Sequence, residues 1–204
     1  KLDYQISQSK YKTFLNYYQY NNRSVKEQVL NLSTKQKTDF YNLLKENIKP
    51  ENKNYLYDFF YNNCATKIKD DIENILDYQV VYTPSPTFKQ FTFRNLIRSD
   101  LNENSWGSFG IDIALGSKID QIASVEEHMF LPKYLHQLIE NARLKTDDSR
   151  LVTASKTLNP SDAIIENNFF NSPLFVLGIL ALIMLLITYK DYISKTRSKW
   201  LDIG

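Results

Sequence analysis

YLYDFFYNNCATKIKDDIENIL, residues Tyr55–Leu76, is the stretch from which the rest of the chain is read. It opens with an aromatic run, reaches Asn62 and Asn63, and then places the single cysteine of the chain, Cys64. From Ala65 onward apolar side chains fall at Ile68, Ile72, Ile75 and Leu76, the spacing of one helical stripe. Asn62 or Asn63 can cap that helix, because a short side-chain oxygen accepts from the free amides of a first turn. Cys64 is then expected in the first turn of an amphipathic helix, directly after an extended segment. Unpaired amides and the positive end of the helix dipole favour a thiolate there. A second reading stays open, that of a small buried hydrophobe at a helix start, since free cysteine is among the most buried residue types.

Composition narrows the classes. At 204 residues the chain can bury one core, or one domain plus appendages. Charged residues at 24% and hydrophobic ones at 43% fit a folded protein. The net charge of +2, spread among interleaved lysines and acids, gives no argument for a nucleic-acid partner. Five glycines form no phosphate loop of either common pattern. One cysteine excludes an intramolecular disulfide and a CxxC metal site, and with only His128 and His136 beside it a zinc site is not expected. Each histidine is expected as a surface or cap residue.

Around the central stretch, local patterns predict the elements. Leu2, Tyr4 and Ile6 alternate with polar residues as in a half-buried strand. Tyr11, Phe14, Leu15 and Tyr18 lie at helical spacing, ended by Asn21–Arg23, and Ser24–Leu32 reads as strand. Ser33 with Gln36 is a capping box for a helix whose buried face is Phe40, Leu43, Leu44 and Ile48. Val80–Tyr82 predicts a short strand, Pro84 and Pro86 an extended corner, and Phe91, Phe93, Leu96 and Ile97 a short helix. Asn102–Gly116 is expected as a loop leading into a strand, with Gly107, Gly110 and Gly116 as turns. A helix carries Leu131, Leu135, Leu138, Ile139 and Ala142, with Pro132 in its first turn.

The C-terminal part changes character. Thr146–Asn168 is polar and reads as a linker, whereas Phe169–Tyr189 carries no charge over a length that spans a hydrocarbon core of ~30 Å. Lys190, Lys195, Arg197 and Lys199 follow it, and Asp162 and Glu166 precede it, so the positive-inside rule puts the C-terminal flank in the cytoplasm. The expected organisation is an external domain at 1–150, a linker at 151–168, a transmembrane helix at 169–189 and a basic cytoplasmic segment at 190–204. The chain is expected to be incomplete at both ends. An exported domain faces an oxidising compartment, where a lone thiol is either well buried or kept for its chemistry.

Together the blocks RSVKEQVLNLS, YLYDFFYNNCATKIKD, FTFRNLI, WGSFGIDIALGSKID and EEHMFLPKYL, followed by a membrane span, resemble the Lnb-type domain. That family is associated with lipoprotein N-acyltransferases of the Bacteroidota inner membrane. The likeness covers residues 1 to about 150, and the NC segment opening a helix also looks like the permuted papain-like acyltransferases. The resemblance implies an α+β, permuted papain-like thiol enzyme domain, present as a fragment and followed by a transmembrane helix. It implies Cys64 as the nucleophile, with Asn63 and Thr66 shaping the turn or orienting the thiol. Arg94, Trp106 and Asp112 fall in its recurrent blocks without assigned roles, and its catalytic histidine is expected upstream of Lys1.

The implied chemistry is acyl transfer through a thioester, from a phospholipid donor to the α-amine of a diacylated lipoprotein, without metal or diffusible cofactor. Backbone amides at the helix start are expected to stabilise the oxyanion. Two alternatives stand beside it: a membrane-anchored thiol peptidase or amidase, and a non-catalytic periplasmic binding domain in which Cys64 belongs to the core.

Overall fold

Alternation at the start of the chain produces β1 (Asp3–Gln5), and the aromatic stripe after it produces α1 (Tyr11–Tyr20). Asn22, at φ 48°, turns the chain away in the left-handed conformation that asparagine tolerates best after glycine. β2 (Val25–Leu30) follows. Ser33 then makes the expected capping box. Its Oγ accepts from the Gln36 N–H at 3.2 Å and Gln36 Oε1 accepts from the Ser33 N–H at 2.8 Å, opening α2 (Thr34–Asn47). β3 (Asn54–Leu56) leads to α3 (Cys64–Ile75), and then come β4 (Val80–Val81), α4 (Phe93–Arg98) and α5 (Trp106–Leu115). A 3₁₀ turn over Glu127–Phe130 precedes α6 (Pro132–Glu140), which is followed by β5 (Arg143–Leu144), β6 (Val152–Asn159) and α7 (Pro173–Ser194). The computed structural model of the chain describes residues 3–102, 104–161 and 169–195.

These elements fall into two units. The first comprises Lys1–Phe93 and Ile122–Ile164. Its strands pair antiparallel as β1 with β3, β2 with β6 and β4 with β5, so the α+β expectation holds as a mixture of helices and small sheets. The core lies where α3, α6 and the 3₁₀ turn meet. Ala65, Ile72 and Leu76 pack with Met129, Leu135, Leu138 and Ile139, closed by Val80 and Val152 from the strands. Leu138 is fully buried, and a leucine so placed contributes about 1.5–3 kcal/mol. Pro132 stands at the first position of α6, where its missing amide costs nothing.

The second unit comprises Arg94–Gln121 and Ile165–Gly204. Asn102–Gly116 departs from the expected loop and strand, since α5 occupies most of it. Ser105 starts the helix by accepting from the Ser108 N–H at 3.1 Å, and only Gly116, at φ 57°, adopts a turn conformation that glycine favours. A helix tolerates Gly107 and Gly110 at a cost of about 1 kcal/mol each. Trp106 Nε1 donates to Asn171 O at 2.9 Å, and the Leu174 N–H donates to Asn104 Oδ1 at 3.2 Å, which ties the start of α7 to the turn before α5. Ser172 caps α7 and Pro173 opens it. Its 22 residues measure roughly 33 Å at 1.5 Å per residue, enough to cross a hydrocarbon core. Leu174, Leu180 and Leu186 are all more than half exposed, on different sides of the helix, as expected of a segment solvated by lipid. The apolar helix therefore runs from 173 to 194 rather than 169 to 189, with a separate 3₁₀ turn at Phe169–Asn171.

Other expectations change as well. The polar stretch read as a linker contains β6, whose backbone completes a ladder with β2 although its side chains give no apolar alternation. Residues 162–168 of that linker, and 196–204 of the basic segment, lie outside the described residues. The stripe on α2 is not buried: Phe40, Leu43 and Ile48 are half-covered and Leu44 is exposed. Ile68 on α3 is also exposed, because the core meets the helix along Ala65, Ile72 and Leu76. Tyr82 falls just outside β4.

Arg94, from the FTFRNLI block, spans the second unit's charges. Its guanidinium pairs with Asp112, with Asp120 at 2.6 Å and with the Gly116 carbonyl at 2.8 Å, while Arg98 meets the other Asp112 oxygen at 2.6 Å. Hydrogen bonding from Arg98 first, and then from Arg94, holds the Asp112 carboxyl below its usual value of 3.8 against the opposing effect of burial. A lowered carboxyl adds stability above its unfolded value and loses it as pH falls through its folded value. Protection of α5 against hydrogen exchange, taken relative to intrinsic rates at each pH, should therefore be steady from neutral pH down to the aspartate range and fall below 3.8. Asp112→Asn should raise exchange at neutral pH and remove part of the acid dependence. Equal acid slopes in both proteins would show that the pair contributes nothing.

Candidate active site

Asp58 folds the aromatic run back on itself. Its Oδ1 accepts from the Phe60 and Tyr61 amides at 2.9 Å each, and the Asp58 and Asn62 backbones exchange two hydrogen bonds at 3.1 Å. Asn62 Nδ2 donates to Leu56 O at 2.6 Å. Phe60 then packs edge-on against Phe93 and Phe130, fixing the hairpin to the first unit's interior. This delivers the chain to Asn63 in extended conformation and places Cys64 at the first position of α3.

Asn63, rather than Asn62, is the cap, and it is 4% exposed. Its Oδ1 accepts from the Ala65 and Thr66 amides at 2.8 and 3.0 Å, while Nδ2 donates to the carbonyls of Phe59 at 2.9 Å and Phe130 at 2.8 Å. Thr66 Oγ1 accepts from the Asn63 N–H at 2.8 Å and lies 3.1 Å from the Asn63 carbonyl, closing a reciprocal box. These contacts put Asn63 and Thr66 in the turn from which Cys64 follows. One expectation is reduced. The cap takes two of the first-turn amides and Lys67 N–H bonds Asn63 O, so only the Cys64 N–H remains without a protein acceptor among the described residues.

Cys64 itself is exposed, which removes the reading of a small core hydrophobe. Tyr55 and Tyr57 lie within electrostatic range of it, and the Tyr4 ring stacks on Tyr57 at 4.2 Å. Burial, with the charges of Cys64 and Tyr4 adding to it, raises the Tyr55 and Tyr57 phenols above their usual value. Lys67, one helical turn on from Cys64, holds its ammonium 5.6 Å from the Tyr55 ring centre. Sequence reasoning missed this cluster, although its alternation at Tyr55 and Tyr57 was a signal that both side chains share one face.

Neither histidine joins the cysteine. His128 is fully buried, a correction to its expected surface position. Its Nδ1 donates to Ser124 O at 2.6 Å and its Nε2 accepts from the Phe91 N–H at 3.2 Å, so both nitrogens are occupied. Phe88 and Tyr134 cover the ring. His136 is half-buried on α6, and burial first, then Lys26, pushes it below the usual imidazole value. No hydrogen bond joins either ring to Cys64 among the described residues. Arg94, Asp112 and Trp106 belong to the network and tether of the second unit described above.

The two faces of the Asn63 amide separate capping from cross-linking. Asn63→Ala should cost about 1 kcal/mol for the cap and a further 1–3 kcal/mol for each carbonyl left buried without a donor. Asn63→Asp keeps the cap acceptor yet turns a carboxylate toward the Phe59 and Phe130 carbonyls, so it should destabilise at least as much as alanine in urea unfolding. A near-neutral Asn63→Asp would show that the cap alone matters.

Comparisons with known proteins place part of the chain. No curated protein and no solved structure matches it. Residues 1–98, which include Asn63, Cys64 and Thr66, match the family described as the Lnb N-terminal periplasmic domain. Over those 98 of 204 residues the chain is similar to an Lnb periplasmic domain, and with the apolar helix at Pro173–Ser194 this fits a membrane protein.

Proposed function

We propose that this protein is a membrane-anchored thiol acyltransferase of the bacterial inner membrane. It would move a fatty acyl chain from a phospholipid, through a Cys64 thioester, to the N-terminal amine of diacylated lipoproteins. The observation that carries the reading is the exposed thiol at the first position of α3, presented by a fully bonded asparagine cap. A helix-borne cysteine following an extended segment is also how papain-like enzymes present theirs. The similarity of residues 1–98 to a periplasmic domain and the helix at Pro173–Ser194 support the compartment and the anchor.

In the first step the Cys64 sulfur attacks the ester carbonyl, an S–C bond forms, and the bond between the acyl carbon and the glycerol oxygen breaks. The lysophospholipid leaves as an alcohol, taking a proton. In the second step the lipoprotein α-amine attacks the thioester, the S–C bond breaks, and the amine's proton returns to the thiol. The α-amine, with a usual pKa of about 7.7–8.0, is partly neutral near neutral pH and so a competent nucleophile. Donor and acceptor are both lipids of one leaflet, and an anchored domain raises their effective concentration at the thiol. The Cys64 N–H is the donor available to the oxyanion. His128, with both nitrogens engaged, does not serve as base in this reading. The base is the histidine that the resemblance puts upstream of Lys1.

The test uses the full-length protein reconstituted with phospholipid and a diacylated lipopeptide, with product mass as the readout. Cys64→Ser should reduce N-acylated product by orders of magnitude while leaving the melting temperature nearly unchanged, because the side chain is exposed. Activity retained in Cys64→Ser would reject the thioester, and peptide cleavage in place of acyl transfer would favour the peptidase. His136→Gln should leave the rate nearly unchanged. Its loss by orders of magnitude would instead assign the base to His136.

A further inference from the structure

We infer that the cleft between the Thr83–Pro86 corner and the turn joining α6 to β5 is a binding site for a phosphate-bearing anion. The cleft holds about 330 Å³ and is lined by Thr83, Pro84, Ser85 and Pro86 on one side, and by Glu140, Asn141, Arg143 and Arg150 on the other. That volume lies at the low end of small-ligand pockets, roughly 300–1,000 Å³.

Backbone pairing puts two positive charges together there. Arg143 and Arg150 are opposed residues of an antiparallel bridge. Opposed residues project from one face with Cβ atoms about 4.5–5.5 Å apart, and like charges in that arrangement destabilise a strand pair. Asp148 pairs with Arg143, while Arg150 has no acid partner among the described residues. Asp148 occupies only Nη1 of Arg143, through its carbonyl at 2.7 Å and its carboxylate at 2.9 Å. The Arg143 Nε and Nη2 and the whole Arg150 guanidinium have no protein partner among the described residues. Two planar forks on one wall suit the oxygens of a tetrahedral anion, which each fork can grip through paired N–H groups.

The opposite wall is preformed and supplies hydroxyls. Pro84 and Pro86 fix the backbone of the corner, while Thr83 and Ser85 bring O–H groups to it. Ser85 Oγ and Thr87 Oγ1 are 3.1 Å apart, which orients the serine hydroxyl. Glu140 is the one acid on the lining, and Gln28 Nε2 donates to it at 2.6 Å. Two arginines and one glutamate line the cleft, and with Asp148 bound to Arg143 the cation left unpaired among the described residues of the lining is Arg150, which suits a singly charged phosphodiester, while Glu140 offers a site for an ammonium beside it. Both a lipid headgroup and a soluble phosphate present the shared chemistry.

Phosphorus NMR on the detergent-solubilised protein tests this with two soluble probes, inorganic phosphate and glycerophosphoethanolamine. Saturable binding in the millimolar range or tighter is expected for at least one of them. Tighter binding of the diester assigns the site to a lipid headgroup, and tighter binding of inorganic phosphate assigns it to free phosphate. Arg150→Gln should weaken the preferred probe at least about tenfold, the loss of a charged hydrogen-bond pair. Arg150→Lys, which keeps the charge without the fork, should fall between. Melting curves confirm that each variant is folded. Absence of binding to both probes in the folded protein, or affinity unchanged in Arg150→Gln, would overturn the inference, as would equal affinity for acetate.

Discussion

The carboxamide of Asn63 is the constraint on which the candidate site depends. A helix start leaves amides without partners, and the turn before it leaves carbonyls in the same condition. One buried carboxamide meets both needs, accepting from Ala65 and Thr66 and donating to Phe59 and Phe130. It therefore joins three segments: the aromatic hairpin, α3, and the 3₁₀ turn before α6. Aspartate lacks the donors, serine lacks the reach, and glutamine carries the same carboxamide on a stem one methylene longer. The hydrophobic core meets at the same place, with Ala65 next to the cap and Met129 next to the Phe130 carbonyl. Polar and apolar interactions thus fix the same junction.

Parts of the fold far apart in sequence secure that junction from outside. β2 and β6 are separated by more than a hundred residues, yet Val29 opposes Ala154 and Lys26 opposes Thr157. β4 and β5 clamp the ends of α3 and α6 in a similar way, with Val80 opposed to Leu144. Each sheet has only two strands, and an isolated pair is marginal in water. Their stability comes from the helices they rest on, through Val80 and Val152 in the core. The small sheets hold the helices in register, and the helices hold the sheets together.

What the sequence disclosed follows from the range of each interaction. Ser33 with Gln36, Asn63 before Ala65, and Pro132 opening a helix are contacts made within four residues, so their residue types suffice to read them. The apolar helix near the C-terminus is legible because length and composition alone mark a segment able to cross a membrane. Burial is different, since a stripe records which residues could be covered and not what covers them. Hence Leu44 and Ile68 are exposed where periodicity predicted a core. β6 escaped because its ladder is backbone chemistry, indifferent to the polar side chains of VTASKTLN. His128 was misplaced for a related reason. Its partners are a carbonyl and an amide, Ser124 O and Phe91 N–H, and backbone groups leave no mark in a sequence.

The division of labour around Cys64 bears on what the site can tolerate. At many helix starts the capping residue and the reactive group compete for the same amides. Here Asn63 takes the second and third amides of α3, the Thr66 hydroxyl takes the Asn63 N–H, and the thiol is left outside the network, exposed, beside its own N–H. Little of the stability of the turn passes through the sulfur. In the proposed reaction Cys64 is acylated and released, changing its size and polarity at every turnover, and a helix start that leaned on it would loosen each time. Holding the helix with the neighbouring asparagine lets the cysteine change while the backbone around it, including the one amide open to an oxyanion, stays in place.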